Sequence, residues 1–254
     1  RELFAAQEQD YIDRVLPPYT ALSAKDSTIG CWGRAYTLNA LGLPEKIVSQ
    51  DEPVLAGPAR LVLAVGGNEQ IVEIGRVRIT DAKDWRVRFA GTAACGPVTF
   101  SAQGWVEQDG LVYVDLTYAS KDGEPVKIDA LRIEYPLRRK NAGCLFCVGP
   151  GGNFSSKTAT LLPKDENGPL WSTLDTGISG SRMTVGSFYP TVWIGNDQRG
   201  FLWWADNDKG WFPVDEVPAH EAIGRAGDVV FRNNLIGQPV ELAAERTVSF
   251  SYNA

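Results

Sequence analysis

Apolar and polar residues alternate with a period of two along much of this chain. Val112, Val114, Leu116 and Tyr118 alternate with Tyr113, Asp115 and Thr117. Ile133, Tyr135 and Leu137 alternate with Arg132 and Glu134, and Val248, Phe250 and Tyr252 with Thr247, Ser249 and Ser251. Successive side chains on a strand point to opposite faces, so each run predicts a strand with one face in a core and the other toward water. Thr28 to Leu38, Glu45 to Gln50, Ala59 to Val65 and Asp228 to Ile236 also read as strands. Gly42-Leu43-Pro44, Gln108-Asp109-Gly110 and Lys121-Asp122-Gly123 supply turn chemistry between them. The spacing of such signals predicts about twelve to sixteen strands, more than a seven-strand domain holds.

No long amphipathic helix and no internal repeat interrupts this pattern. Ala5, Tyr11, Ile12 and Val15 have near-helical spacing before Pro17-Pro18, so residues 1–16 read as a short helix or a linker. Residues 17–254 read as one all-β unit: a large antiparallel β-sandwich, single or double, with few short helices. The last strand runs to the end of the chain, and the chain is expected to be a fragment of a larger protein. Glycines at 149–152 and 177–186 bracket a loop-rich stretch, which contains Asp165-Glu166-Asn167-Gly168-Pro169 and is suited to carry binding loops.

The densest aromatic stretch runs from Phe188 to Pro213, with eight aromatics that include four of the eight tryptophans. It predicts a hairpin: Phe188 to Ile194, a polar connection from Gly195 to Gly200, and a return strand from Phe201 to Ala205. Trp203 and Trp204 then point to opposite faces. One reading is that these rings fill the sandwich core. The other is a carbohydrate site, in which an indole face meets the C–H face of a sugar and carboxylates or amides meet its hydroxyls. Trp193, Arg199, Trp204 and Trp211 are the candidate ligand-binding residues. Trp211, just after the Asp206-Asn207-Asp208-Lys209-Gly210 turn, is the foremost platform candidate.

Length and charge narrow the function. The 254 residues carry a formal net charge of −6, and the densest basic run is Arg138-Arg139-Lys140. Without a basic stripe to release counterions, a nucleic-acid partner is not expected. No apolar run reaches the roughly 20 residues that span a bilayer. The four cysteines, Cys31, Cys95, Cys144 and Cys147, read as buried free thiols, with disulfides or a metal as alternatives. Cys144 and Cys147 form a C-x-x-C that lacks the helix start of a redox motif. The single histidine, His220, reads as a loop residue. No nucleophile elbow, phosphate loop or dinucleotide fingerprint is present, and no cofactor or metal is expected. Asp206-Asn207-Asp208 begins like a calcium loop but lacks its later ligands. Paired carboxylates remain as chemistry, and Asp197, Asp206 and Asp208 are the catalytic candidates.

Three stretches carry a family resemblance. The run from Tyr189 to Trp211 resembles the WLGN-x-x-RGL-x-W-x-x-E-x-D-x-GW segment of bacterial glycoside-hydrolase-like proteins related to glycoside hydrolase family 123. Trp32-Gly33-Arg34-Ala35-Tyr36 with Gly42-Leu43-Pro44 resembles their WGR-x-Y…GLP segment. Asp129 to Leu137 resembles their I-x-x-L-x-x-x-x-PL strand. The match runs in order from about Pro17 to Tyr252, with Asp206 where the family pattern has Glu. The resemblance implies a β-sandwich module beside a catalytic (β/α)₈ barrel that holds the glycosidase carboxylates. Nothing in these residues alternates strands and helices as a barrel does.

The leading expectation is a non-catalytic module that supports the barrel domain of the same protein and contacts glycan. An extracellular or periplasmic location is expected. A carbohydrate-active enzyme in its own right, with Arg199 or Lys209 stabilising developing charge, is the alternative. A structural or surface-assembly protein is the third.

Overall fold

The computed structural model describes residues 14–148, 158–176 and 188–254. The helix expected within residues 1–16 falls almost entirely outside them, and Arg14, Val15 and Leu16 are irregular. Most of the two glycine-bracketed loops also falls outside.

Among the described residues, nine strands form one sheet. Their spatial order is Ala159–Leu161, Cys144–Val148, Thr191–Gly195, Gly200–Trp204, Arg246–Asn253, Val112–Ser120, Val98–Glu107, Arg86–Cys95 and Arg78–Ala82. Six strands form a second sheet, in the order Gly168–Ser172, His220–Arg225, Asp228–Ile236, Ala130–Arg138, Arg60–Val65 and Asn68–Ile71. Five N-terminal strands, from Ser23–Lys25 to Glu52–Pro53, form a meander, and Val126–Ile128 pairs with Val240–Leu242. The strands pair antiparallel throughout. The fold is the large sandwich that the alternation predicts.

The two large sheets meet over an aromatic layer. From the six-stranded sheet, Tyr135 lies 4.9 Å from Phe201 and 6.3 Å from Tyr252 between ring centres. Phe231 lies 6.4 Å from Trp203. These rings come from the inward positions of the alternating runs and are at most 1% exposed. Each removes a large apolar area from water. The N-terminal meander covers more of the same face of the nine-stranded sheet. Gly42 makes this possible. Its φ is +71°, and a Cβ there would sit 2.6 Å from Phe89. Its carbonyl accepts a 2.7 Å hydrogen bond from Tyr252 Oη.

The outer face of the six-stranded sheet is organised by charge. Arg60, Glu134, Arg232 and Glu221 are direct cross-strand neighbours in one row. Glu134 is only 5% exposed and has guanidinium nitrogens at 2.9 Å (Arg232), 3.2 Å (Arg132) and 3.7 Å (Arg225). Opposite charges directly across strands stabilise a sheet, and a buried carboxylate requires them.

Twenty-two strands occur among the described residues, beyond the sequence expectation. The surplus consists of segments such as Glu52–Pro53 and Val126–Ile128, which are too short to display a period.

Candidate carbohydrate-facing site

The aromatic hairpin forms as the sequence suggests, with strands Thr191–Gly195 and Gly200–Trp204. Asn196 builds its tip. The Asn196 Oδ1 accepts from the backbone N–H groups of Gln198 and Arg199 at 2.9 and 3.0 Å, an Asx turn. Trp193 lies across Gly195 and Gly200, whose added Cβ atoms would meet its indole at 2.3 and 2.4 Å. The glycines at both ends of the tip therefore do more than permit a turn. They make room for a half-buried indole.

The hairpin's outward residues belong to the outer face of the nine-stranded sheet. Trp204, Ser251, Tyr113, Trp105 and Arg88 are successive cross-strand partners in a row over five strands. Trp204 is 37% exposed. Tyr113 and Trp105 stack at 4.1 Å with planes 16° apart. Trp105 Nε1 donates to Glu107 at 3.1 Å, and Glu107 also pairs with Arg86 at 2.5 Å. Ser251 Oγ is buried without a hydrogen-bond partner.

One row away, Asp115 faces Ser249 on one side and Gln103 on the other. Its Oδ1 accepts from Tyr113 Oη at 2.8 Å and from Ser249 Oγ at 2.6 Å. Burial raises the Tyr113 pKa, a hydrogen bond with Ser249 opposes it, and the charges of Asp115 and then Asp206 raise it further, so this phenol stays protonated and donates. Asp115 also lines a hollow of about 490 Å³ with Arg78, Ser101, Gln103 and Thr117. The arrangement offers an indole face, a fixed carboxylate acceptor, hydroxyls and an arginine on one surface. That set suits a polyhydroxylated ligand whose rings carry apolar C–H faces.

The seven residues singled out from the sequence go to different places. Trp204 is on this outer face, and Asp206 is exposed two residues beyond it in the chain. Trp193 is outward but laid over the hairpin. Arg199 lines a separate hollow with Trp32. Asp197 is exposed at the hairpin tip. The five-residue strand Gly200–Trp204, about 16 Å long, separates it from Asp206 and Asp208. These three carboxylates therefore do not gather within the 5–10 Å range of a glycosidase pair.

Trp211 is corrected by its burial. It is 4% exposed, with Phe188 at 5.2 Å, His220 at 5.5 Å and Trp203 at 5.9 Å. Its ring belongs to the core and presents no face to a sugar. The reason lies in the turn before it. Gly210 adopts φ +85°, and its carbonyl accepts a hydrogen bond from Tyr118 Oη in the neighbouring sheet strand. This folds the chain back inward.

His220 is also corrected. It opens the strand His220–Arg225 and is fully buried among Phe188, Trp203, Trp211 and Phe231. Its Nδ1 lies 2.9 Å from Asn233 Oδ1. Burial lowers its pKa to about 4, against a smaller opposing effect of the Asn233 hydrogen bond. It is a neutral core residue at pH 7.

The four cysteines are free thiols. Burial raises Cys31 to about 11 and Cys147 to about 12, so both resist forming the reactive thiolate. Among the described residues, no group of three or more His, Cys, Asp or Glu side chains is placed to hold a metal ion. No helix among them is long and apolar enough to cross a membrane.

Tyr113, Asp115, Trp105, Ser249 and Ser251 were not recognised as site residues from the sequence. Tyr113 and Asp115 occupy the polar half of the clearest alternating run. An outward tyrosine two residues before an outward aspartate was the available signal.

Fold and face together define an all-β sandwich module with one aromatic and polar sheet surface turned outward. The chain belongs to the family described as glycoside hydrolase 123, third domain, whose model matches residues 22–208. That span contains the WGR segment, the Asp129–Leu137 strand and all but the last three residues of the Tyr189–Trp211 stretch. No curated protein has a significantly similar sequence. Among solved structures, the fold is similar to the α-N-acetylgalactosaminidase NagBb of Bifidobacterium bifidum in complex with GalNAc. The TM-score is 0.51 at 13% identity, over 89% of this chain and 36% of that one. The chain thus spans about a third of that enzyme. A GalM/aldose epimerase homologue from C. elegans aligns over 92% of this chain and 98% of its own, with a TM-score of 0.48 and 8% identity.

Proposed function

We propose that this chain is a non-catalytic sandwich module of a family 123 glycosidase. It holds glycan on the outer face of the nine-stranded sheet and supports a catalytic barrel elsewhere in the same protein. The observation that carries this reading is the row Trp204–Ser251–Tyr113–Trp105 above the Asp115 clamp. Aromatic rings give a sugar apolar contact without directional demand. The fixed carboxylate and hydroxyls then set its orientation. An extracellular or periplasmic location belongs to the same proposal.

The test is calorimetric binding of the 254-residue chain to a panel of neutral oligosaccharides, with N-acetylgalactosamine included because NagBb was solved with it. Binding that weakens at least tenfold in Trp204→Ala, with unchanged thermal unfolding, is the expected result. No binding across the panel, or binding indifferent to Trp204, overturns it.

One observation favours a second reading, that the chain acts on sugars itself. Tyr113 Oη donates to Asp115 at 2.8 Å, and the Asp206 charge also raises the pKa of this phenol, so two carboxylates act on one hydroxyl. Hydrolysis of nitrophenyl glycosides by the wild-type chain, lost in both Asp115→Asn and Asp206→Asn, would replace the module reading with this one.

A further inference from the structure

A second hollow, of about 470 Å³, lies where the N-terminal meander meets the hairpin tip. Trp32, Arg34 and Gln50 line it from the meander, and Gln198 and Arg199 from the tip. Trp32 is 49% exposed and held edge-on against Tyr19 at 5.8 Å. Gln50 and the adjacent Asp51 have φ of 49° and 65°, the left-handed region that side chains other than glycine seldom enter. They are the two central residues of the tight turn that pairs Ser49 with Glu52, which requires φ > 0 at both positions.

Arg199 is the decisive group. Its Nε is shielded from water and has no hydrogen-bond partner. No ion pair engages its guanidinium among the described residues. Glu52, whose pKa the Arg199 charge helps to lower, is already paired with Lys140 at 2.7 Å. Arg34 is already engaged, donating to Asn253 Oδ1 at 2.5 Å and to the Ala254 oxygen at 3.0 Å, and Ala254 also lines the hollow. A shielded guanidinium donor without an acceptor calls for an anion, and its planar fork matches a carboxylate. The chain's net charge of −6 supplies no general attraction for acidic ligands, so any such recognition is local.

We infer that the Trp32–Arg199 hollow is a second saccharide site, specific for a sugar residue that bears a carboxylate. The carboxylate takes the Arg199 fork, the sugar ring lies on Trp32, and the Gln50 and Gln198 amides meet its hydroxyls. The anion requirement comes from Arg199. The saccharide half rests on the carbohydrate reading of the module.

The experiment is an NMR titration of the ¹⁵N-labelled 254-residue chain with trigalacturonic acid, galactotriose and inorganic sulfate in parallel. The readouts are the Arg199 Nε–H and Trp32 indole N–H resonances. The inference predicts that trigalacturonic acid moves both resonances. Arg199→Gln and Trp32→Ala each weaken its affinity at least tenfold, while Ile71→Ala, at an exposed position on the edge of the six-stranded sheet, leaves it unchanged. Equal responses to galactotriose and trigalacturonic acid overturn the inference, as does sulfate matching trigalacturonic acid, or silence at Arg199. If Arg199→Gln fails to fold, the wild-type Nε–H resonance still decides. Neutral-glycan binding lost in Trp204→Ala, with Arg199 silent, removes this site and leaves the module reading standing.

Discussion

Trp203 and Trp204 are adjacent on one strand, and the sheet sends them to opposite environments. Trp203 is 1% exposed, with the His220 ring at 4.9 Å, Trp211 at 5.9 Å and Phe250 at 6.4 Å. Trp204 is 37% exposed, between Thr191 and Ser251 on its neighbouring strands. Residue type is the same, so orientation alone decides the role. The inward side of the sheet is a continuous apolar layer whose rings have few alternatives. The outward side is a set of rings and polar groups in which Trp105 is covered by Tyr113, Arg86 and Arg88 while Trp204 stays exposed. In this fold a tryptophan's place in the alternation tells more about its function than its membership in an aromatic cluster.

The largest test of that contrast is truncation of the inward ring. Trp203→Ala is expected to cost about 3–5 kcal/mol of stability, because the layer around it cannot collapse to fill the void. Chemical denaturation measures this directly. A loss below about 1 kcal/mol would mean that the inward layer is not close-packed.

Acid sharpens the same comparison at His220. Its pKa in the folded state, about 4, lies below the ordinary 6.5, so the folded protein favours the neutral ring. This contribution is fully present above pH 6.5 and is lost as pH falls through 4. The total is on the order of 3 kcal/mol. The gap in unfolding free energy between pH 7 and pH 4 should therefore shrink in His220→Leu. An identical gap in the two proteins would place His220 in contact with water.

The outer face of the six-stranded sheet is a third case, outward yet shielded. Glu134→Gln leaves three arginines without their shared carboxylate. It should cost about 2 kcal/mol, less than the 3–5 typical of a fully buried pair, because those arginines are partly solvated. Denaturation in low and high salt would show the difference narrowing as salt screens the freed charges.

The sequence was informative where strands are long. The runs at 112–118, 131–137 and 247–252 assigned inward and outward faces correctly, and the hairpin followed from its glycines and polar tip. Two kinds of feature escaped. Trp211 and His220 each follow segments with loop chemistry, Asp206 to Gly210 and Val217 to Ala219. Their burial depends on contacts with remote strands that no local pattern encodes. The Asp115 clamp joins residues 134 apart in the chain through pairing of Val112–Ser120 with Arg246–Asn253. Outward polarity marked each strand, but only register brings Ser249 opposite Asp115.

The most direct test of the central claim is glycan binding by wild type, Trp204→Ala and Trp211→Ala, each with its thermal unfolding curve. The account predicts that Trp204→Ala loses binding at least tenfold while stability stays within about 0.5 kcal/mol, as for a surface change. Trp211→Ala should instead lower stability by several kcal/mol, a core truncation. Binding that survives Trp204→Ala but vanishes in a fully stable Trp211→Ala would contradict the assignment of the two faces.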